Sequence, residues 1–593
     1  MIAPLLVLTA LLAAPQSLVV FDVQKAIVEP TQDTVLRYDH LKFVASLQGL
    51  VNRDAPRLLI RLVPGERRGA PNNIDDYWMS TLREGWLKDA TFTEIESFDA
   101  LVQQFKEHIA GVVLWDPAVP ATANVAATVC GVEGWLPVRA GGELYKRLCE
   151  SGPMLPVKLS LVGKFTGAES GSPKCDAYRW AQREYLDTGR CNNAILAGFI
   201  DAYTQEPGKP GASYPDLLNA QLANHDYYIA RRAFFFDLGP WHDEVSVDDP
   251  TQKPGADAEM LKSILKSIYT QNGGKAITTV GGFLAWNLKY TNFGPAGGKR
   301  EPVPAEWEYA TILSSYNCIL DADALGSACV ANISAWQHHP LKEHYPQNPR
   351  PAKQTLEAKT YVLFYMGDYD AGAWLSNAIP SIWDDPARGE IPLAWAFNPN
   401  LSERVPHAFD RVRTTATAND WFIAGDSGAG YLNPNLLTGD RLGSGLPDAL
   451  ALWGVHNERY YRQFDLSITG FVINGFHGDM PLAIQELYAK FSPDGVGMQL
   501  GFTKPLVGNT PFIRQTGDLY PDPNNIDAVA NHANAHLKGN RPAFILFRLI
   551  LQKPSTVKTL QERLLALHPD KEWVFCDPYT FFDLVRQHLA QGL

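Results

Sequence analysis

Hydrophobic and polar residues alternate along the first half of the chain with two periods, one typical of helices and one of strands. LKFVASLQGLVNR (41–53) has the spacing of an amphipathic helix, and PRLLIRLV (56–63) that of a buried strand. FDALVQQFKEHI (98–109) and AGVVLWD (110–116) repeat this pair, and another helix-like segment begins at AEMLKSILKSIYTQN (258–272). Alternation of this kind predicts parallel α/β sheets.

The alternation becomes regular after a charged, proline-rich segment at 338–354. Eight strand-like segments follow, most of them with a helix-like segment behind: 360–368, 391–398, 420–426, 467–475, 495–502, 511–517, 543–550 and 572–579. Eight such units predict a C-terminal TIM-like (β/α)8 barrel. The predicted fold class is therefore α/β and multidomain: an N-terminal α/β region over 18–238, a middle α/β domain and linker over 239–354, and a barrel over 355–593.

The first residues form an apolar run, MIAPLLVLTALLAAPQS, that ends in small residues. A run of this length predicts a signal peptide over 1–17 and a secreted or periplasmic location. A buried first strand or helix is the alternative, because no Lys or Arg precedes the run. Nothing later in the chain has the length of an integral membrane segment.

Composition and charge narrow the classes of partner. The net charge of -12 argues against nucleic acid and against anionic membranes, and it favours a neutral or cationic ligand. The seven cysteines form no CxxC pair and no zinc spacing. Cys175 with Cys191, and Cys318 with Cys329, are near enough in sequence to close short loops in an exported protein.

Polar side chains collect where the eight predicted strands end, which is where TIM barrels carry their catalytic groups. These residues are Asp368, Asp370, Asp426, Ser427, His477, Asp479, Lys504 and Arg548. Two carboxylates beside a glycosidic bond can divide the acid and the nucleophile or base roles. The candidates for that pair are Asp368, Asp370, Asp426 and Asp479. The end of the seventh strand carries Arg548 and no acid.

Two other interpretations of the same strand ends stay open. Asp368, Asp370 and His477 could hold a divalent metal ion, which would suit the removal of acetyl or ester groups from a glycan. No cofactor is otherwise indicated. Alternatively, the acids could only hydrogen-bond sugar hydroxyls in a catalytically inert carbohydrate-binding protein.

The stretch IAGDSGAGYLNP (423–434) combines an acid, a serine and a tyrosine with glycines. A phosphate-binding loop or a serine nucleophile elbow needs a helix to start at once, and Tyr-Leu-Asn-Pro follows here instead. We therefore expect the glycines to shape a rim from which Asp426 and Tyr431 face a ligand.

The same stretch resembles the motif that names the GxGYxYP glycoside hydrolases of polysaccharide-degrading bacteria. Gly428, Gly430, Tyr431 and Pro434 match the motif, whereas Asn433 replaces its second tyrosine. Three further segments are similar to the family: SLQGLVNRDAPRLLI (46–60), IARRAFFFDL (229–238) and FYMGDYDAGAWL (364–375), the last with both aspartates, Asp368 and Asp370.

The resemblance implies N-terminal α/β domains before a TIM-like barrel, and a carbohydrate substrate. Together with the strand-end positions it leads to one hypothesis, hydrolysis of a glycosidic bond at the barrel mouth. Asp426 and Asp370 are the expected pair, with Asp368 and His477 orienting them. Tyr431 and Trp374 are expected to contact sugar, and Ser427, Arg548 and Lys504 complete the expected binding residues.

Overall fold

The structure is a computed structural model that describes residues 17–62, 74–199, 225–246, 248–283, 302–323, 330–537 and 539–592. Residues 1–16, which carry nearly all of the predicted signal peptide, lie outside this part of the chain, as does Cys329.

Two small parallel sheets form the N-terminal region. The first has the order β2-β1-β3, from β1 (Ser17–Asp22), β2 (Leu58–Arg61) and β3 (Thr91–Ile95), and the second the order β5-β4-β6, from β4 (Val112–Trp115), β5 (Leu136–Arg139) and β6 (Val157–Ser160). Their helices are α1 (Thr34–Val51), α2 (Ile74–Arg83), α3 (Phe98–Gln104), α4 (Thr122–Glu133), α5 (Glu143–Tyr145) and α6 (Pro173–Ala181). Helix α1 begins where Asp33 accepts hydrogen bonds from the amides of Val35 and Leu36.

A four-stranded parallel sheet forms the middle of the molecule. Its order is β10-β9-β7-β8, from β7 (Ile195–Gly198), β8 (Phe234–Phe236), β9 (Thr278–Gly281) and β10 (Cys318–Asp321). The helices here are α7 (Ala256–Gln271), α8 (Pro302–Ser314) and α9 (Ile333–Trp336). Strands β7 and β8 come from the region before residue 238 and β9 and β10 from the region after it, so this sheet crosses the boundary expected there.

A buried lysine ties the middle of the molecule together. Lys174 Nζ lies 3.0 Å from carboxylate oxygens of both Asp248 and Asp257 and 3.5 Å from Asp237 Oδ1. All four side chains are nearly inaccessible to solvent. Because an isolated buried charge is costly, these carboxylates are what allow Lys174 to stay charged inside the protein.

The C-terminal sheet contains all eight predicted strands. They are β11 (Thr360–Tyr369), β12 (Leu393–Phe397), β13 (Asp420–Asp426), β14 (Ile468–Val472), β15 (Gly495–Met498), β17 (Thr510–Arg514), β19 (Ala543–Ile550) and β20 (Trp573–Phe575), with the short β16 (Leu506–Val507) and β18 (Gly517–Leu519) in addition. The helices are α10 (Gly372–Asn377), α11 (Ile379–Trp383), α12 (Pro406–Thr414), α13 (Leu450–Gln463), α14 (Leu482–Phe491), α15 (Ile526–Ala535), α16 (Pro554–Leu567) and α17 (Pro578–Ala590).

The pairing of these strands differs from that of a TIM barrel. The order is β16-β17-β15-β14-β13-β12-β11-β19-β18, and the sheet curls. Strand β19 pairs with β11 from Thr360 to Gly367, at the edge where an eighth strand would lie. Strand β20 pairs instead with Thr360–Val362 on the other edge of β11. A complete eight-stranded barrel is therefore not confirmed, because the place for its last strand is already occupied.

The middle sheet and the C-terminal sheet meet at their carboxyl edges. Asp321, at the end of β10, accepts a hydrogen bond of 2.8 Å from the amide of Gly372, and Arg404 contacts both Asp321 and Asp323 in the same buried interface. The segment 338–354 contains no helix or strand, and it contacts the C-terminal sheet where the side-chain amide of Gln347 donates to the carbonyl of Phe422.

Within the described residues, no helix is both long and apolar enough to cross a membrane. Cys175 and Cys191, which are near enough in sequence to close a short loop, are both free, buried thiols. Burial raises the pKa of each to about 12.

Candidate active site

The glycine-containing loop after β13 is pressed against the middle sheet. The amide of Leu320 in β10 donates to the carbonyl of Tyr431 over 2.9 Å. Gly430 has a φ of 137°, and a Cβ at this position would lie 2.6 Å from Ile319 Cδ1. Only glycine allows the loop this backbone conformation and this approach, so the motif glycine serves domain contact.

Ser427 is fully buried at the start of this loop, in a left-handed conformation with φ 59°. Its hydroxyl donates to the carbonyl of Leu432 over 2.5 Å and accepts from the amide of Ile473 over 3.0 Å. Both hydrogen bonds point into the protein. The serine therefore holds the loop in shape, and the structure does not present it to a ligand.

Tyr431 and Asn433 also face the protein interior. Each is 2% exposed, which differs from the open rim expected for Tyr431. The Tyr431 hydroxyl donates to Glu306 on α8. Asn433 donates to the carbonyl of Gly475 over 3.1 Å and accepts from the amide of Asn435 over 3.1 Å, so an amide that fixes two loops stands where the family motif has a tyrosine.

Asp370 and Asp426 lie close enough together for the charge of one to act on the other. Asp426 ends β13, where the side chain of Asn398 binds both its amide (2.9 Å) and its carbonyl (3.2 Å). Asp370 follows β11, and its carbonyl accepts from the amide of Ala322 over 3.1 Å. Asp370 is 9% exposed and Asp426 is 3% exposed, so both residues are fixed through their main chain in a nearly dry position.

Burial and mutual repulsion change how these acids titrate. Burial raises the pKa of Asp370 well above its ordinary value, and the charges of Asp426, Asp368 and Glu306 raise it further. Burial also raises the pKa of Asp426 to about 7, but the nearby Arg548 opposes that rise. Arg548 therefore makes the two carboxyl groups unequal. Asp426 ionises more easily, and Asp370 stays protonated to higher pH.

Glu306 is the member of this cluster that the sequence did not indicate. It comes from α8 in the middle of the molecule, hydrogen-bonds Tyr431, and acts electrostatically on both Asp370 and Asp426. It stands in PVPAEWEYA, away from any strand end, and no local pattern distinguishes it from other helix carboxylates. Only the docking of α8 against the loops after β13 and β14 brings it to the site.

Arg548 is fixed beside the carboxyl groups by a bidentate bond. Its Nε and Nη2 each donate over 2.9 Å to the carboxylate of Asp518. Burial alone would raise the pKa of Asp518, but the arginine outweighs it and the pKa is lowered. Since the guanidinium is held in this way, its charge has a fixed position next to Asp426.

Tyr365 lies among the same groups, with its ring 1% exposed. Burial raises the pKa of Tyr365 well above its ordinary value, and the charges of Asp426, Asp370 and Asp368 act in the same direction. Its hydroxyl has no hydrogen-bond partner among the described residues. A buried hydroxyl without a partner is unusual, and this one stands beside the carboxyl groups.

Of the other residues predicted for the site, Asp368 lies near the carboxyl pair and Trp374 is buried beside it in sequence. Asp368, in a left-handed conformation with φ 73°, lies within the electrostatic reach of Asp370, Asp426 and Arg548. Trp374 is 7% exposed on α10 and offers little surface to a ligand.

His477, Asp479 and Lys504 lie on the loops after β14 and β15. His477 Nε2 is 2.8 Å from Thr311 Oγ1 on α8, and burial lowers its pKa. Asp479 and Lys504 are exposed. Among the described residues, no three His, Cys, Asp or Glu side chains are placed to share a metal ion, so Asp368, Asp370 and His477 are not assembled as a ligand set.

Two exposed aromatic side chains lie on loops that follow strands of the C-terminal sheet. Phe476 is 53% exposed, has a left-handed φ of 66°, and meets the Trp307 ring edge to face at 5.1 Å. Tyr520 is 56% exposed, and its hydroxyl lies 3.4 Å from Asp518 Oδ2. A bulky residue gains nothing from a left-handed backbone or from exposure, so such positions are commonly functional.

Residues 358–586 match the family model described as "GxGYxYP putative glycoside hydrolase C-terminal domain". This match confirms the predicted resemblance over the C-terminal sheet and its helices. A solved structure, described as a putative hydrolase from Bacteroides thetaiotaomicron VPI-5482, is similar with a TM-score of 0.66 and 15% identity, over 97% of this chain and 95% of that chain. At that identity the likeness concerns the fold alone. No curated protein matches the sequence.

Proposed function

We propose that the protein hydrolyses a glycosidic bond of an oligo- or polysaccharide between the C-terminal sheet and α8. The observation that carries the proposal is a pair of buried, interacting carboxyl groups in unequal surroundings. Arg548 favours the ionised form of Asp426, whereas the charges that act on Asp370 are those of carboxylates. One protonated and one ionised carboxyl group is the combination that glycoside hydrolysis uses. The family match over the same strands supports this reaction class.

In the proposed reaction, Asp370 donates its proton to the glycosidic oxygen as the bond to the anomeric carbon breaks. Asp426 attacks that carbon or takes a proton from the attacking water, and water supplies the new hydroxyl. Asp368 and Glu306 add negative charge around the developing oxocarbenium ion and keep Asp370 protonated. Glu306 is thus assigned an electrostatic role from outside the C-terminal domain.

Sugar binding is assigned to groups that have free surface. Phe476 and Tyr520 offer exposed rings on which sugar rings can stack. The Tyr365 hydroxyl is instead buried beside the carboxyl groups, and it is assigned a hydrogen bond at the reaction centre. The buried side chains of Trp374, Ser427 and Tyr431 are assigned a supporting role, without contact to the sugar. The proposal includes export of the protein, because an extended polysaccharide is met outside the cytoplasm and the apolar run at 1–17 has the character of a signal peptide.

The test is a product-resolved screen against a panel of polysaccharides, followed by variants assayed on the substrate found. Asp370→Asn and Asp426→Asn should each lower kcat by about 100-fold or more, since each removes one half of the acid–base pair. Asp440→Asn is the matched control, because this exposed acid lies on the same segment after β13. Undiminished turnover in both site variants would refute the assignment.

Two further measurements separate this proposal from its alternatives. Loss of activity on chelation, restored by one added metal, would favour deacetylation or ester cleavage over glycosidic hydrolysis. Binding to an oligosaccharide array with no product from any member would favour an inert carbohydrate-binding protein. Phe476→Ala should raise KM for a long oligosaccharide while leaving that for a small aryl glycoside unchanged, if the ring binds an outlying sugar.

A further inference from the structure

A cavity of about 550 Å³ opens at the amino ends of the strands of the middle sheet, on the side away from the carboxyl cluster. It is lined by residues that precede β7 and β8, among them Arg190, Arg231 and Arg232, and by Arg53 at the end of α1. The carboxyl cluster lies beyond the opposite, carboxyl ends of the strands in this parallel sheet. The cavity is therefore a separate site, of a volume that suits a small ligand.

The charge of this cavity contrasts with that of the whole chain, which carries -12. Arg53 is held against three backbone carbonyls, the shortest contact being 2.6 Å to Gly131. These carbonyls carry no net charge, and the charge that acts favourably on Arg53 from the cavity lining is that of Asp54. Arg231 and Arg232 are exposed, and neither guanidinium makes a hydrogen bond or ion pair to the residues that the structure describes. Asp54 is the acid in the lining.

The arrangement differs from that of ordinary surface arginines in this protein. Arg190 at the same cavity is paired with Glu133 over 2.7 Å, and Arg183 nearby in sequence is paired with Glu169. Arg231 and Arg232, by contrast, are adjacent and unpaired, and the charge of Arg232 acts on the fixed Arg53. Like charges repel when they are brought together, so this grouping costs free energy until an anion neutralises it.

We propose that this cavity binds a small molecule with two or more oxyanion groups, such as carboxylates or sulfates on a sugar or linked phosphates. Arg53 forms the fixed back of the site, and Arg231 and Arg232 close on the ligand from its exposed side. Planar guanidinium groups bind such oxyanions through paired hydrogen bonds. The volume exceeds the needs of one inorganic ion and suits a mono- or disaccharide-sized ligand.

The experiment is calorimetric titration of the whole protein with a sulfated disaccharide, a digalacturonate, inorganic pyrophosphate and a neutral disaccharide. We expect at least one anionic probe to bind, with an affinity that falls as salt is added. The double variant Arg231→Gln with Arg232→Gln should weaken that binding by about tenfold or more, from the loss of charged hydrogen bonds. Arg183→Gln removes one arginine charge outside the cavity and should leave the binding unchanged.

Binding of either sugar probe would identify an acidic glycan as the source of the oxyanions, and binding of pyrophosphate alone would identify phosphate. The proposal fails if none of the anions binds, if the neutral disaccharide binds equally well, or if the double variant, shown to be folded by circular dichroism, binds as the unaltered protein does. These outcomes do not depend on Asp370 or Asp426, so they are distinct from a failure of the proposed hydrolysis.

Discussion

Replacing Asp426 by Asn should make the protein more stable at neutral and alkaline pH while it removes activity. The side chain is 3% exposed, and burial raises its pKa from the ordinary 3.8 to about 7. In the unfolded chain the group ionises near pH 4, but in the folded protein it does so only near pH 7. The folded state therefore loses stability as the pH rises through this interval.

The magnitude follows from the same two pKa values. One pKa unit corresponds to about 1.4 kcal/mol, so a rise from 3.8 to about 7 costs the folded protein about 4 kcal/mol once the pH exceeds 7. This figure is an upper bound, because Asp426 shares its ionisation with Asp370 and because the variant loses the attraction of Arg548. The variant should gain stability relative to the unaltered protein between pH 4 and pH 7, and gain nothing further above pH 7.

The assay compares the thermal melting of Asp426→Asn, the unaltered protein and Asp440→Asn at pH 4.5 and at pH 8. The Asp426 variant should melt later than the unaltered protein at pH 8, with the difference largely lost at pH 4.5. Asp440→Asn, which alters an exposed acid, should follow the unaltered protein at both values. A variant that melts at or below the unaltered protein at pH 8 would show that Asp426 is ionised at no cost, and would refute the reasoning.

Three other substitutions test the packing around the site and in the middle of the molecule. Gly430→Ala should destabilise the protein by about 1–3 kcal/mol, because its Cβ would lie 2.6 Å from Ile319 Cδ1. Gly439→Ala, also at positive φ (67°) but in open space, is the control for backbone strain. Equal urea midpoints for the two variants would contradict the argument. Tyr365→Phe should change the free energy of unfolding by no more than about 0.5 kcal/mol, since the hydroxyl has no partner among the described residues. The same variant should lower kcat/KM, and unchanged kinetics would remove this hydroxyl from the site. Lys174→Met should lower the free energy of unfolding by about 3–5 kcal/mol, because it leaves three buried carboxylates without their cation. Urea denaturation measures this loss, and a loss under about 1 kcal/mol would mean that those acids are protonated.

The sequence determined the local elements of the C-terminal region. Each of the eight predicted strands exists, because apolar runs bounded by turn residues and followed by amphipathic segments depend on contacts near in sequence. The family motif and the acids Asp370 and Asp426 were likewise readable from residues alone, since both follow apolar strands. A polar residue directly after an apolar strand can be recognised from neighbouring residues alone.

Only the tertiary structure decided how those elements close and which side chains meet. Strand β19 pairs with β11 along its length, which removes the place for an eighth barrel strand, and pairing between strands so far apart leaves no mark in either sequence. The buried positions of Ser427 and Tyr431 depend on the docking of their loop against β10. Glu306 reaches the acids because a helix from the middle of the molecule packs on the loops after β13 and β14. A contact between such distant segments is set by packing, which local sequence patterns do not encode.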